Sequence, residues 1–174
     1  MPAAPPRLFS FPDPVDEVSA RLVAGGVVAL AVAAIVLDQP WLTAVIAYGF
    51  VARVLTGPTL SPLGRLVTQV VRPRLAVAPR PVPGPPKRFA QGIGAVFSLT
   101  AAILALGFGL TGAAWIVLGA LAVAAALEAF LGFCLGCRVF ALAMRVGLIP
   151  EAVCERCVDL WDASRAPAVS RRMM

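Results

Sequence analysis

The chain of 174 residues contains no histidine. Imidazole acid–base catalysis and histidine metal ligands are excluded at once, and the four cysteines become the main chemical asset. Charge is also scarce: Asp, Glu, Lys and Arg make up 14% of the residues, against roughly 25% in an ordinary soluble domain. So little charge with so many apolar residues rules out intrinsic disorder. There is no collagen-like repeat, and four cysteines in a chain this long do not make a secreted disulfide scaffold. What is abundant is hydrophobicity, at 60% of the residues and a mean hydropathy of +0.89. A soluble domain of this size leaves much of its surface wet and cannot hide that excess. The composition therefore predicts an all-α integral membrane protein.

Four apolar segments set the architecture. Leu22–Leu37 carries no charge over 16 residues, and extending it back through Arg21 brings it near the roughly 20 residues that cross a bilayer, because a long arginine can reach the headgroups. The four spans are placed at about 18–37, 41–56, 89–110 and 113–133, the second being the shortest and carrying Arg53 near its far end. Asp38-Gln39-Pro40 and Thr111-Gly112 are the connections within each pair, so the spans should form two antiparallel hairpins. Residues 1–20 carry three acids and five prolines, which argues against a signal peptide. With four spans, all 15 Lys and Arg fall on one side of the membrane, and basic loops mark the cytoplasmic side. Both termini are expected in the cytoplasm of a multi-pass plasma-membrane protein. The net charge of +6 then reflects topology and anionic lipid, with no nucleic-acid partner implied.

Outside the spans, Asp13 and Pro14 suit the cap and first position of the first helix, with Glu17 and Arg21 spaced to pair. Leu63, Leu66, Val67, Val70 and Val71 form the apolar stripe of an amphipathic helix over about 62–72, ended by Pro73 and suited to the headgroup plane. Residues 79–87 hold five prolines in nine and read as a stiff, non-helical connector. Gly25-Gly26, Gly92-Ile93-Gly94 and Gly107-Phe108-Gly109 allow close helix approach within one chain or in a homo-oligomer. Residues 134–163 are placed as a helical hairpin and 164–174 as a tail.

Cys134-Leu-Gly-Cys137 and Cys154-Glu-Arg-Cys157 are two CxxC pairs separated by 16 residues. At helical spacing each pair shares one face, and a hairpin over 134–163 would stack all four sulfurs where the last span leaves the membrane. Two chemistries fit. One is dithiol–disulfide exchange or sulfur relay, which needs no cofactor and favours a thiol near a helix start or beside Arg; Cys154 meets that condition, and Cys134 meets it if the last span breaks near Gly132 or Gly136. The other is a structural site in which all four thiolates hold zinc or iron, although the segment between the pairs is more apolar and helical than the turns that usually carry such sites. Buried, inert cysteine is the plain alternative to both. Glu128 lies inside the last span, where a carboxyl normally faces the bundle interior with a partner. Arg53, at matching depth, is the expected partner. On a continuous helix Glu128 and Cys134 would lie about 240° apart, so their cooperation needs the Gly132 break. A small transporter using Glu128 is a third reading of the same residue.

FPDPVDEVSAR, GPTLSPLGRL, PGPPKRFAQGIG, LEAFLGFCLGCRVF and GLIPEAVCERC together resemble the four-helix membrane proteins known as domain of unknown function 4395. The resemblance covers most of residues 11–157. It implies membrane residence and association with soluble thioredoxin-like or sulfurtransferase proteins, and it tilts the cysteine reading toward sulfur redox chemistry.

Overall fold

Four apolar segments become four long helices, and most of the other described residues tie them together at one end. The computed structural model describes residues 11–150 and Val153. Helix α1 spans Glu17–Val36, α2 Trp41–Thr56, α5 Gly84–Ala102 and α6 Thr111–Leu131. Between α2 and α5 lie a short helix α3 (Pro62–Arg65), a π-helical stretch Leu66–Val71, and a last turn α4 (Arg72–Arg74). A second π-helical stretch, Ile103–Gly107, extends α5, and α7 spans Leu135–Arg145. Two two-residue strands, β1 (Val15–Asp16) and β2 (Pro81–Val82), pair antiparallel and clip the start of α1 to the segment before α5.

Three of these helices, Glu17–Val36, Gly84–Gly107 and Thr111–Leu131, are long and apolar enough to cross a membrane; α2 is apolar but shorter, at 16 residues. The chain is a membrane protein. The outward faces carry Val32, Val36, Tyr48, Val96, Ile103, Ile116 and Val123, all exposed. Inside, the contacts are made by small residues: Ala31, Ala34, Ala101 and Ala114 are fully buried around Leu118. Where lipid is as apolar as the core, close packing of small side chains is what holds helices together. Gly94 of α5 lies against the Phe50 ring of α2, so close that a Cβ there would clash, and Gly26 of α1 receives Leu63 of α3 in the same way. These glycines therefore serve contacts within the chain.

Several local expectations change. Asp16, not Asp13, caps α1, its carboxylate accepting from Ser19 N (3.3 Å) and Ser19 Oγ (2.8 Å). Asp13 instead accepts from Gly84 N at 3.1 Å, at the start of α5. Burial pushes the Asp16 carboxyl up, but hydrogen bonds from Arg72, Arg80 N and Ser19 and the Arg72 charge outweigh it and hold the group down at about 2. The Arg72–Asp16 ion pair is 2.6 Å long. Arg21 does not pair with Glu17; it reaches the end of α6.

The helix expected over 62–72 runs through Pro73 to Arg74 and bends into a π-helical pitch. Leu63 and Val67 pack inward, whereas Leu66 and Val70 are exposed. A wider turn favours i, i+4 over i, i+3 neighbours, which splits the anticipated stripe. The connector expected over 79–87 is non-helical only as far as Pro83: α5 already begins at Gly84, with Pro85 and Pro86 in its first turn. Proline lacks only an N–H that the first turn leaves unbonded anyway.

Candidate thiol site at the charged end of the bundle

Helix α6 stops at Gly132, which takes the left-handed conformation (φ +68°). That region is open to glycine at no steric cost and turns a helix end sharply. Phe133 N bonds back to Leu127 O (3.1 Å) and Gly132 N to Glu128 O (3.1 Å). Arg21 of α1 closes two further carbonyls, Nε donating to Ala129 O (3.1 Å) and Nη2 to Phe130 O (2.9 Å). The orphan acceptors of a helix end are satisfied by a cation, which also suits the negative end of the dipole. The break at Gly132 on which Cys134 chemistry depended is present.

Cys134 is the N-cap residue of α7, in extended conformation (φ −88°, ψ 105°), and Cys137 sits in the first turn. The Cys137 thiol donates to Cys134 Sγ at 2.8 Å, and both cysteines are free. Two packing contacts hold the cap in place. Gly136 lies on the backbone of Ala90 in α5 with no room for a Cβ, and Phe140 packs on Phe89 with ring centroids 5.6 Å apart. The hydrogen bond from Cys137 is the largest influence on Cys134; with the Lys87 charge it outweighs burial and the Glu128 charge, and holds the thiol below its ordinary range. Cys137 moves the opposite way, raised because its proton is engaged by Cys134 and because the site is buried. A helix N-terminus adds a positive partial charge on the same side. One thiol is poised to ionise and its neighbour to keep its proton.

The charged groups around the pair differ from expectation in one respect. Glu128 is bonded to Lys87, Nζ to Oε1 at 2.7 Å, with both side chains largely buried. Arg53 is not its ion-pair partner. Its Nε donates to Gln91 Oε1 (2.9 Å), its Nη1 donates to Ser61 Oγ (3.1 Å), and its guanidinium lies 4.5 Å from the centroid of the Phe50 ring. Starting α5 at Gly84 puts Lys87 in a helical first turn beside α6, where a connector was expected, and so gives Glu128 a different partner. Glu128, Arg53, Gln91 and Cys134 all border one cavity of about 350 Å³, whose remaining wall is chiefly apolar. Glu128 and Cys134 thus share a space despite their spacing in the sequence. Lys87, Gln91 and Ser61 were missed as site residues; the signal that could have found Lys87 is a Gly-Pro-Pro start directly ahead of it.

Cys154 and Cys157 lie outside the described residues, and so does the stacking of the two CxxC pairs. Among the described residues no group of three or more His, Cys, Asp or Glu side chains is placed to hold a metal ion.

Apolar helices with a cysteine pair capping a short helix at one end define a membrane protein with a sheltered dithiol. Its family is shown by the match of residues 15–145 to the model described as Domain of unknown function (DUF4395), and the chain belongs to that family. The match takes in Cys134 and Cys137 and stops before Cys154. No curated protein and no solved structure matches the chain.

Proposed function

We propose that the chain is a membrane-bound thiol–disulfide protein whose working pair is Cys134 and Cys137, exchanging electrons or sulfur with a soluble thioredoxin-like or sulfurtransferase partner. In this reading α1, α2, α5 and α6 cross the bilayer as two antiparallel hairpins, with the second pass short. The end carrying Arg53, Lys87, Arg88 and the cysteines faces the cytoplasm, in accord with the weight of basic residues there. The single observation that carries the reading is the placement of Cys134 at the cap of α7 with the Cys137 thiol donating to it.

The Cys134 thiolate attacks one sulfur of a partner disulfide, forming a mixed disulfide and releasing the partner's other sulfur as a thiolate. Cys137 then gives up its proton and attacks Cys134 Sγ, so the Cys134–Cys137 disulfide forms and the partner leaves as a dithiol once its thiolates are protonated. Two electrons pass from this chain to the partner; the reverse sequence passes them back. The Cys137 proton passes to solvent as its sulfur attacks, and the partner's departing thiolates take up protons in turn. Cys154 and Cys157 would form a second relay pair handing electrons or sulfane sulfur to the first.

The test uses oxidised glutathione as probe on the purified full chain with Cys154 and Cys157 replaced by Ser. Cys137→Ser should stop at a stable mixed disulfide on Cys134, whereas the chain retaining both first-pair cysteines should proceed to an internal disulfide. Equal glutathione loading of Cys134→Ser and Cys137→Ser, with no internal disulfide in the parent, would overturn the proposal.

A further inference from the structure

The cavity beside Cys134 holds a feature that thiol exchange does not use. Arg53 lines it, is only 5% exposed, and leaves Nη2 as the one buried side-chain polar atom without a hydrogen-bond partner among the described residues. Buried polar groups are nearly always satisfied, and an orphan on a guanidinium calls for a specific account. Its guanidinium also makes no direct ion pair with a carboxylate, although the Glu128 charge reaches it. The nearest acid by depth, Glu128, is bonded to Lys87, so the three charges of this region sum to one positive charge with no carboxylate on Arg53. A lone ionised group inside a membrane bundle is costly and marks a functional site unless something pairs with it.

We infer that this cavity binds a small organic monoanion with an apolar body, whose anionic oxygen pairs with the Arg53 guanidinium. The other features fit such a molecule. The volume of about 350 Å³ lies in the roughly 300–1,000 Å³ range of small-molecule sites. Val27, Phe50, Phe97 and Leu121 supply an apolar wall for the body. Gln91, Ser61 and the Phe50 ring fix the guanidinium in one orientation, so the cation is held in place before the ligand arrives. Guanidinium is suited to this task because it stays charged in apolar surroundings and is planar. An amphiphilic anion also reaches such a site readily, since it concentrates in the membrane interface. The inference does not depend on the thiol reading, because it needs the cation and the cavity rather than sulfur chemistry.

Octanoate is the probe, titrated calorimetrically into the full chain in nanodiscs of zwitterionic lipid, with empty nanodiscs subtracted. Saturable one-to-one binding is expected, at least tenfold tighter than for octanol, and octanesulfonate should bind comparably to octanoate. Arg53→Gln should weaken octanoate at least tenfold. If that variant does not fold, Ala124→Phe, which fills the cavity and keeps the cation, decides the matter and should abolish binding. Cys137→Ser should bind octanoate within twofold of the parent although exchange is lost, which separates this site from the thiol chemistry. Octanol binding as tightly as octanoate, a neutral quinone such as menadione binding more tightly than either, octanoate binding unchanged in Ala124→Phe, or no saturable octanoate binding at millimolar concentration would each overturn the assignment.

Discussion

The two ends of the helix bundle are built to different standards. At one end the turns Leu37–Pro40 and Phe108–Leu110 join neighbouring helices with short-range contacts, and one side-chain hydrogen bond, Trp115 Nε1 to Asp38 Oδ1 at 3.2 Å, links α6 to the first turn. At the other end Arg21, Arg53, Lys87 and Glu128 reach across between helices, a strand pair ties β1 to β2, and α7 folds back onto α5. A bundle meant only to sit in lipid has no need of a buried ion pair, a buried guanidinium and a capped cysteine pair gathered at one level. Polar groups inside a membrane are expensive, and their concentration at one end is the ground for proposing the functional site there.

Substitutions at the two ends should have unequal effects. The largest effect is expected from Cys134→Ser, which should abolish disulfide exchange measured by thiol release, while Asp38→Asn at the opposite end should leave the rate unchanged. Next is Glu128→Leu, which strands Lys87 as an unpaired buried charge; a loss of about 3 kcal/mol in stability is expected by denaturant unfolding, in line with broken buried pairs. The double replacement Lys87→Met with Glu128→Leu should recover most of that loss, since two apolar groups need no partner. Gly132→Ala forces a side chain into left-handed backbone and should cost about 1–2 kcal/mol, with exchange slowed because the Cys134 cap moves. The smallest effect is in the Asp16 clip. Its carboxyl titrates lower in the folded chain than in the unfolded one, so the clip contributes stability above about pH 4 and loses it as pH falls toward 2. Asp16→Asn should flatten that acid limb in thermal melts while leaving exchange at neutral pH intact.

What could be read from the sequence follows from which interactions are local. Hydropathy and length belong to each segment alone, so the apolar runs emerged as helices, and α2 has the bounds expected for it, Trp41–Thr56. The Gly132 break was visible as a condition because glycine takes a left-handed helix end at no steric cost. Lys87 was hidden by its setting: a run rich in proline reads as extended, yet prolines at the first helical positions start a helix as well as end one. The Arg53 partner was also out of reach. Depth along a span can be counted from the sequence, but the rotation that turns Arg53 toward Gln91 and Ser61, and Glu128 toward Lys87, is set by packing among four helices. Asp13 and Asp16 show the same limit at short range, since a strand pair with residues some 65 positions away decides which of them caps α1.

The pH profile of thiol alkylation separates a poised cysteine pair from two ordinary thiols. The full chain carrying Cys154→Ser and Cys157→Ser, reduced and treated with iodoacetamide from pH 5 to 10, reports the ionisation of Cys134 and Cys137 alone. One thiol, identified by peptide mass as Cys134, should react with a midpoint below that of an ordinary thiol, near 8.5, and that midpoint should rise in Cys137→Ala, which removes the donor to its sulfur. Two thiols titrating together at or above the ordinary value, unmoved by Cys137→Ala, would contradict the account.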